Sequence, residues 1–336
     1  MTGVLWVATG LSAQLTGIER FALGLADALF AGGVLVPERL TVVVDERARW
    51  AGPLVAAGAA VVRKRHGRWL RASSGDTHPI LVHNLGGGRF PVRSVMAPGQ
   101  MRIYSVYDWG PVRDATMSTK ARLAWGAVMA AGVRGADVVH YLNTELEQTR
   151  PRLLPVPKRS IVSYADSALA GASAAASEGR SGYSLFVGTA APRKRLPEVA
   201  AMAGLSASPV VMVGAGTEAF RGHPHVMALG RVSDALLQRL LDACDALLLV
   251  STYEGFGVPI LEAAARGIAS VVSPEVASTL PADLRAYVHV VDPTDAAAFG
   301  GAVTVATARR GLPRYDAQGI LGPLLDLYRD AVACMP

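Results

Sequence analysis

The clearest structural signal in the chain is carried by Tyr253-Glu254-Gly255-Phe256-Gly257-Val258-Pro259-Ile260-Leu261-Glu262-Ala263. Before it, Ala246-Leu247-Leu248-Leu249-Val250 is short and apolar throughout, which is typical of a strand buried on both faces of a parallel sheet. After it, Pro259 suits the first turn of a helix, and apolar residues continue at helical spacing until Gly267. The pattern therefore predicts a strand, a glycine-containing loop and a helix.

This loop is suited to a ligand that carries phosphates and hydroxyl groups. An anion is stabilised at a helix N-terminus, because the first N–H groups have no partner within the helix and the helix dipole is positive there. Gly255 and Gly257 leave the backbone open to a phosphate, and Glu262 is predicted in the first helical turn. Carboxylates repel phosphates but accept hydrogen bonds from hydroxyls, so Glu254 and Glu262 indicate the diols of a sugar nucleotide. The alternative is that Glu254 is a solvated loop residue and that Glu262 only complements the helix dipole, worth about 0.3–1 kcal/mol.

Length and composition place the chain among globular proteins. Its 336 residues are 51% hydrophobic and 18% charged, which fits two domains with separate cores. No apolar run approaches the roughly 18 residues that a transmembrane helix needs. The first residues predict a strand rather than a signal peptide, and two distant cysteines, Cys244 and Cys334, form no metal motif. We therefore expect a cytoplasmic protein, and leave open an association with the inner face of the membrane.

The charged residues favour anionic partners. The formal net charge is +6, and a basic run lies between two predicted strands, Arg63-Lys64-Arg65-His66-Gly67-Arg68-Trp69. Such a run can lie on anionic lipid headgroups, each basic residue adding about 1 kcal/mol, or it can be a solvated surface loop. No motif of a DNA-binding or RNA-binding protein is present, so we expect no nucleic-acid partner.

The first half of the chain also predicts an α/β arrangement. Strands are predicted at residues 4–8, 40–45, 80–83, 102–106 and 137–141, and a helix follows Gly17. Ligands of open α/β sheets bind at the carboxyl ends of strands, so Asp108, His140 and Asn143 are placed to line a cleft. Asp108 is the better candidate for orienting an acceptor hydroxyl, whereas a lone histidine at a strand end is more often a structural hydrogen-bonding residue.

The second half begins after a segment of alanine, serine and glycine at 165–182, which we interpret as a linker. A strand then runs into Gly188-Thr189, and three cations follow at Arg193-Lys194-Arg195. Three cations after a buried strand are costly to hold together unless an anion neutralises them, so Arg193 and Lys194 suit a diphosphate. The alternative, a solvated helix start, is weakened because cations there oppose the helix dipole.

A glycine turn at Gly214-Ala215-Gly216-Thr217-Glu218-Ala219 fits the dinucleotide-binding fingerprint. That fingerprint also requires a helix of some length and an acidic residue about 20 positions later. Gly222 and Pro224 arrive too early for such a helix. We therefore do not assign this turn to a dinucleotide.

Glu254 to Glu262 resembles the Glu-x7-Glu motif of the retaining glycosyltransferases of family 4, also called glycosyl transferases group 1. The similarity is clear from Tyr183 to about Asp295, where the family also has the Arg-Lys pair, and it is weak before Tyr141. Tyr107 stands where the family usually has a histidine, and Arg195 where it usually has an asparagine.

The resemblance implies an α/β protein of the GT-B fold, with two Rossmann-like domains facing each other across a cleft. It implies an acceptor-binding domain at 1–164, a linker at 165–182, a nucleotide-sugar-binding domain at 183–316 and a C-terminal helix at 317–336 that packs on the first domain. The implied reaction moves a sugar from a nucleotide-diphosphate donor to a hydroxyl acceptor with retention and without a metal or other cofactor, in polysaccharide, glycolipid or other glycoconjugate biosynthesis. The acceptor is unknown and can be lipid-linked.

By the same resemblance, Glu262 holds the ribose hydroxyls, Glu254 the hydroxyls of the donor sugar, and Arg193 and Lys194 the departing diphosphate. The remaining donor-binding residues are Gly17, Gly188, Thr189, Gly257, Val258 and Pro259, the last three through backbone amides at the phosphates. Two enzyme alternatives are a sugar-nucleotide epimerase and a phosphorylase, which can share the architecture. A third is a nucleotide-sugar-binding protein without activity.

Overall fold

The computed structural model describes residues 3–8, 17–64, 79–85, 99–109, 112, 118–164, 181–206, 208–255, 257–309, 312–315 and 321–333. The chain divides into two units. The first consists of Met1–Ala170 with Gln318–Pro336, and the second of Gly171–Ala317. The boundary at 170/171 falls within the segment predicted as a linker, most of which, residues 165–180, lies outside the described residues.

The described part of the first unit is built on a parallel sheet of seven strands. These are β1 (Val4–Ala8), β2 (Leu40–Asp45), β3 (Ala60–Lys64), β4 (Leu81–Asn84), β5 (Met101–Val106), β6 (Val138–Tyr141) and β7 (Ser160–Val162). Their order in the sheet is β3-β2-β1-β4-β5-β6-β7. Buried apolar residues occupy both faces of the central strands, as expected where helices cover both faces of a sheet.

Helices connect these strands. They are α1 (Gly17–Ala31), α2 (Gly52–Ala56), α3 (Thr119–Gly135), α4 (Thr144–Gln148) and, from the C-terminus, α10 (Gly322–Ala333), with a 3-10 turn at Pro37–Arg39. Helix α1 buries Phe21, Leu25 and Leu29, which recur at helical spacing on the side of the helix that faces the core. The Asn143 side chain accepts from Leu146 N–H (2.6 Å), so this residue caps α4.

Helix α10 is held in the first unit by a buried hydroxyl group. The Trp6 indole N–H donates to the Tyr328 hydroxyl oxygen (2.7 Å), and the same hydroxyl lies 2.7 Å from His83 Nδ1. Both residues that bond to the Tyr328 hydroxyl belong to the sheet, since Trp6 is on β1 and His83 on β4. The last described helix is therefore tied to the two central strands of the first sheet.

His83 continues a buried chain of hydrogen bonds across the sheet. Its Nε2 lies 2.8 Å from Ser105 Oγ, which lies 2.8 Å from His140 Nδ1, and His140 Nε2 lies 2.8 Å from the Ser163 carbonyl. Burial lowers the pKa of both rings, that of His140 to about 4, so both are neutral at pH 7. A carbonyl only accepts, so the single ring proton of His140 is on Nε2. Ser105 then donates to His140 Nδ1, and His83 donates from Nε2 to Ser105.

The described part of the second unit is built on a parallel sheet of six strands. These are β8 (Ser184–Val187), β9 (Val210–Val213), β10 (Val226–Gly230), β11 (Ala246–Leu249), β12 (Ala269–Val272) and β13 (Val288–Val290), in the order β10-β9-β8-β11-β12-β13. The chain builds outward from β8 to β10, then returns to place β11 on the other side of β8. Ligands of such sheets bind at this reversal, outside the carboxyl ends of β8 and β11.

The helices of the second unit are α5 (Leu196–Met202), α6 (Asp234–Ala243), α7 (Val258–Ala264), α8 (Pro274–Thr279) and α9 (Ala296–Ala308). Ser233 caps α6 by accepting from Leu236 N–H (3.3 Å). The glycine turn after β9 leads only to a 3-10 turn at Thr217–Phe220, so the absence of a long helix there is confirmed. Further 3-10 turns lie at Pro192–Lys194 and Ala282–Tyr287.

Two short strands were missed from the sequence, β3 and β7, and both lie at the edges of the first sheet. Arg63 and Lys64 lie on β3, so the interpretation of the basic run as a loop is wrong for these two residues. An edge strand tolerates charged side chains because one side of it faces solvent. Residues 65–78, with Arg65, Arg68 and Trp69, lie outside the described residues. Among the helices that the structure does describe, none is both long enough and apolar enough to cross a membrane.

Candidate functional site

Two loops meet at the carboxyl ends of β8 and β9. Gly188 N–H donates to Val213 O (2.9 Å), and Ala190 N–H donates to Ala215 O (2.8 Å). Gly214 has φ +135°, and a Cβ there would lie 1.9 Å from the Gly188 carbonyl oxygen. A glycine is therefore required at this point for two backbones to approach so closely. The loops that follow β8 and β9 are therefore in close backbone contact.

Lys194 and Glu254 form a buried ion pair at the reversal of the sheet. Glu254 follows β11, and its Oε1 lies 2.5 Å from Lys194 Nζ. The same oxygen accepts from the Arg193 guanidinium (2.9 Å), which also donates to the Tyr253 carbonyl (2.8 Å). The Lys194 side chain is 8% exposed and that of Glu254 is 10% exposed, whereas Arg193 reaches solvent. One carboxylate thus holds two cations, which leaves one net positive charge.

The pKa shifts agree with an ionic pair. Burial alone would raise the pKa of the Glu254 carboxyl, but the attraction of Lys194 and Arg193 outweighs burial and lowers it. Burial lowers the pKa of the Lys194 ammonium, and the Glu254 carboxylate offsets this only in part. Because the pKa of the acid is lowered, Glu254 is a carboxylate at neutral pH and Lys194 has a charged partner.

Arg195, the third cation, lies apart from this pair. It adopts a left-handed conformation with φ 52°, which an L-residue other than glycine adopts at a cost of about 1–2 kcal/mol. Its guanidinium donates to Glu275 Oε1 (2.8 Å), a carboxylate on α8. The carboxylates of Glu254 and Glu275 thus balance two of the three positive charges, and one net positive charge remains beside Glu254. The protein itself supplies part of the neutralising charge, from partners 60 and 80 residues further along the chain, and the assignment of Arg193 and Lys194 to a diphosphate stays a prediction.

Glu262 lies in the second turn of α7, so its predicted place in the first turn is wrong. Helix α7 begins at Val258, one residue after Gly257, whose left-handed φ of 79° allows the loop to turn into the helix. Glu262 is 1% exposed, and its carbonyl accepts from Arg266 (2.9 Å). Pro259 has no N–H, and Ile260 N–H donates to Gly257 O (2.8 Å), so amide contacts to a phosphate would have to come from Gly257 and Val258.

The structural role of Arg266 was not predicted from the sequence. Its side chain is buried between α6 and α7, where it donates to Asp242 (2.6 Å) and Gln238 (2.5 Å) in addition to the carbonyl of Glu262. These three bonds fix the end of the helix that carries Glu262. The signal available in the sequence was an arginine directly after a predicted helix, where it can donate to the last carbonyls of that helix.

Four of the predicted residues, Gly17, Asp108, His140 and Asn143, lie in the first unit. Gly17 begins α1, and Asp108 follows β5 with Tyr107 between them. His140 is fully buried in the hydrogen-bonded chain described above, which agrees with a structural role, and Asn143 caps α4. Thr189 lies in the second unit, directly after Gly188. Within the described ranges, no three His, Cys, Asp or Glu side chains come together as a metal site would require.

Comparison with sequence families addresses the second unit. Residues 183–308 match the family described as Glycosyl transferases group 1. The second unit is therefore similar to a glycosyl transferases group 1 domain. The match covers less than half of the chain, and no curated protein sequence matches it.

Solved structures resemble the chain over nearly its whole length. Sucrose-phosphate synthase from Thermosynechococcus elongatus has a TM-score of 0.66 at 16% identity, covering 99% of this chain and 94% of that one. Anabaena HepE, in complex with UDP and glucose, has a TM-score of 0.63 at 13% identity, covering 97% and 99%. AviGT4, a glycosyltransferase involved in avilamycin A biosynthesis, has a TM-score of 0.62 at 19% identity, covering 100% and 99%. With two parallel Rossmann-like sheets, the chain has the GT-B fold predicted from its sequence.

Proposed function

We propose that this chain is a retaining glycosyltransferase that moves a sugar from a nucleotide-diphosphate donor to a hydroxyl acceptor in glycoconjugate biosynthesis. The observation that carries the proposal is the cluster of Arg193, Lys194 and Glu254 at the reversal of a parallel sheet, inside the segment that matches glycosyl transferases group 1. Solved structures of Anabaena HepE contain UDP or UDP-glucose, so UDP is the first nucleotide to test.

The proposed reaction needs positive charge where the diphosphate leaves. The bond from the anomeric carbon to the phosphate oxygen breaks, the acceptor oxygen bonds to that carbon on the same face, and the acceptor proton passes to a phosphate oxygen. Arg193 and Lys194 are already held in place by Glu254, so they stabilise the developing charge without reorganising. Losing one such group typically lowers a rate by about 10²–10³-fold.

Other roles rest on the resemblance. Glu254 accepts hydrogen bonds from the donor sugar while it holds the two cations, and Glu262 accepts from the ribose. Gly17 contributes to donor binding, and Asp108 orients the acceptor hydroxyl. The two cations supply charge that a metal ion supplies in other glycosyltransferases, so we propose that the reaction needs no metal and that EDTA leaves the rate unchanged. Contact with a membrane through the basic run at 63–69 is a further proposal.

The first test is thermal stability with UDP, GDP, ADP and dTDP. At 100 times its dissociation constant a ligand adds about 2.7 kcal/mol, a shift of a few degrees. We expect one diphosphate to stabilise the native protein and to have no effect on Arg193→Gln. The matched control is Arg195→Gln, which removes a neighbouring guanidinium that is bonded to Glu275 instead of Glu254 and should keep the shift. If no nucleoside diphosphate stabilises the native protein, the proposal is wrong.

Turnover separates the alternatives. With a nucleotide sugar, a glycosyltransferase releases the nucleoside diphosphate, and the release accelerates when an acceptor is added. An epimerase converts the donor without releasing the diphosphate, and a phosphorylase responds to inorganic phosphate instead. A stabilising diphosphate with no turnover of any donor would indicate a binding protein without activity.

A further inference from the structure

The loop at 149–159, between α4 and β7 of the first unit, holds two aliphatic side chains in solvent. Leu153 is 91% exposed and Val156 is 77% exposed, the highest values among large apolar side chains in the described part of the chain. Exposed apolar residues are common as single residues on protein surfaces. Leu153 and Val156 lie three positions apart in one loop. We call this exposed pair the apolar projection.

The backbone of this loop is fixed. Leu154, between the two exposed residues, is buried in the core of the first unit, and its N–H donates to Pro151 O (2.9 Å). The Arg150 guanidinium donates to the carbonyls of Leu154 and Pro155, the latter at 3.2 Å. These bonds hold the backbone on both sides of Leu153. Because the loop is ordered on folding, little further ordering is needed when the projection binds a partner.

The charge around the projection is positive. The basic residues of the loop are Arg150, Arg152, Lys158 and Arg159, and no acidic residue lies between them. Asp137 accepts from Arg102 (2.9 Å) and from Lys158 (3.4 Å), and Glu147 accepts from Ser160. Lys158 therefore already shares a carboxylate, and the positive charge offered to a partner is carried chiefly by Arg152 and Arg159. Arg152, Lys158 and Arg159 are exposed beside the two aliphatic side chains. A partner of this surface must therefore combine negative charge with an apolar layer.

We propose that the 149–159 loop docks on the surface of an anionic phospholipid bilayer. Leu153 and Val156 enter the boundary between headgroups and acyl chains, and the cations contact the lipid phosphates. A protein partner fits less well, because stable protein interfaces bury about 1,200 Å² or more and are rich in aromatic residues, whereas this surface is a small aliphatic projection. The loop leads into the amino end of β7, so docking leaves the carboxyl ends of this sheet uncovered.

The test is co-sedimentation of the full chain with phosphatidylcholine vesicles containing about 30% phosphatidylglycerol, compared with vesicles of phosphatidylcholine alone. We expect binding to the anionic vesicles that weakens at high salt, and a loss of at least about tenfold in Leu153→Ser/Val156→Ser, since two aliphatic side chains no longer enter the bilayer. The matched control is Leu205→Ser/Val305→Ser, which removes two side chains of the second unit that are 56% and 57% exposed and should leave binding unchanged.

Absence of sedimentation with anionic vesicles would overturn the proposal, and so would equal losses in the two double variants. Self-association in gel filtration that only the loop variant abolishes would assign the projection to a second copy of the chain instead. The vesicle assay uses no nucleotide, so its outcome is independent of the glycosyltransferase proposal. Both double variants replace exposed side chains, and thermal unfolding in buffer verifies that each is folded.

Discussion

Replacing Glu254 by glutamine tests whether burial or distance decides the strength of the ion pairs that follow β8. Glu254 Oε1 lies 2.5 Å from Lys194 Nζ and 2.9 Å from the Arg193 guanidinium, while Glu275 Oε1 lies 2.8 Å from that of Arg195. The distances are similar, but the Glu275 side chain is 42% exposed. The two glutamates therefore form a matched pair of substitutions.

The expected magnitudes differ several-fold. Two unit charges 2.5 Å apart attract by about 6–7 kcal/mol at an effective dielectric constant of about 20, and the desolvation of both ions offsets part of this. Glu254→Gln leaves the Lys194 ammonium buried without a counter-ion, which we expect to lower the free energy of unfolding by about 3–5 kcal/mol. Glu275→Gln removes a partly exposed pair, and we expect a loss of about 1 kcal/mol or less.

The assay is guanidinium unfolding at pH 7 followed by far-UV circular dichroism. Tryptophan fluorescence serves to monitor the first unit alone, because all five tryptophans belong to it: Trp6, Trp50, Trp69, Trp109 and Trp125. The double variant Lys194→Met/Glu254→Gln should recover most of the stability, because no unpaired charge then remains buried. Equal losses for Glu254→Gln and Glu275→Gln, or no recovery in the double variant, would refute this reasoning.

Two further predictions concern histidine titration and glycine packing. His83 and His140 are buried, and burial lowers the pKa of both, that of His140 to about 4 from 6.5 in the unfolded chain. The unfolded chain therefore takes up protons first as the pH falls. The stability that the neutral rings contribute is complete above pH 6.5 and is lost below it. Between pH 7 and 5, which lies above the range in which most carboxylates titrate, His140 alone should reduce the free energy of unfolding by about 2 kcal/mol. Urea titration followed by tryptophan fluorescence measures this change. A free energy of unfolding that stays constant over this range would contradict the prediction. Gly214→Ala, whose Cβ would lie 1.9 Å from Gly188 O, should cost more than about 3 kcal/mol, whereas Gly222→Ala, at φ +86° with nothing within 4 Å, should cost about 1 kcal/mol. Far-UV unfolding curves measure both variants, and equal costs would show that steric contact at Gly214 is not decisive.

Local pattern sufficed for most of the sheet elements. Strands β1 and β2 were predicted at the bounds that the structure has, because a strand buried on both faces is a continuous apolar run bounded by polar or glycine residues. The cap of α6 at Ser233 is likewise a local feature, since a cap depends on residues within one turn. The short edge strand β7 was missed because three half-buried residues carry too little of either periodicity.

In the site as well, residue types could be predicted from the sequence, whereas the contacts between them could not. The residue types Arg193, Lys194, Glu254 and Glu262 could be selected from the sequence, because glycine loops, cations and carboxylates after apolar runs indicate the carboxyl edge of a parallel sheet. That Glu254 is the counter-ion of Lys194 was decided only by the tertiary structure, which places β8 beside β11 and brings together residues 60 positions apart. The contact of Tyr328 with His83, 245 positions away, was likewise invisible to local pattern. A local pattern reports which face of an element is buried, whereas the partner of a buried charge or hydroxyl is set by strand order, and strand order is a property of the whole folded chain.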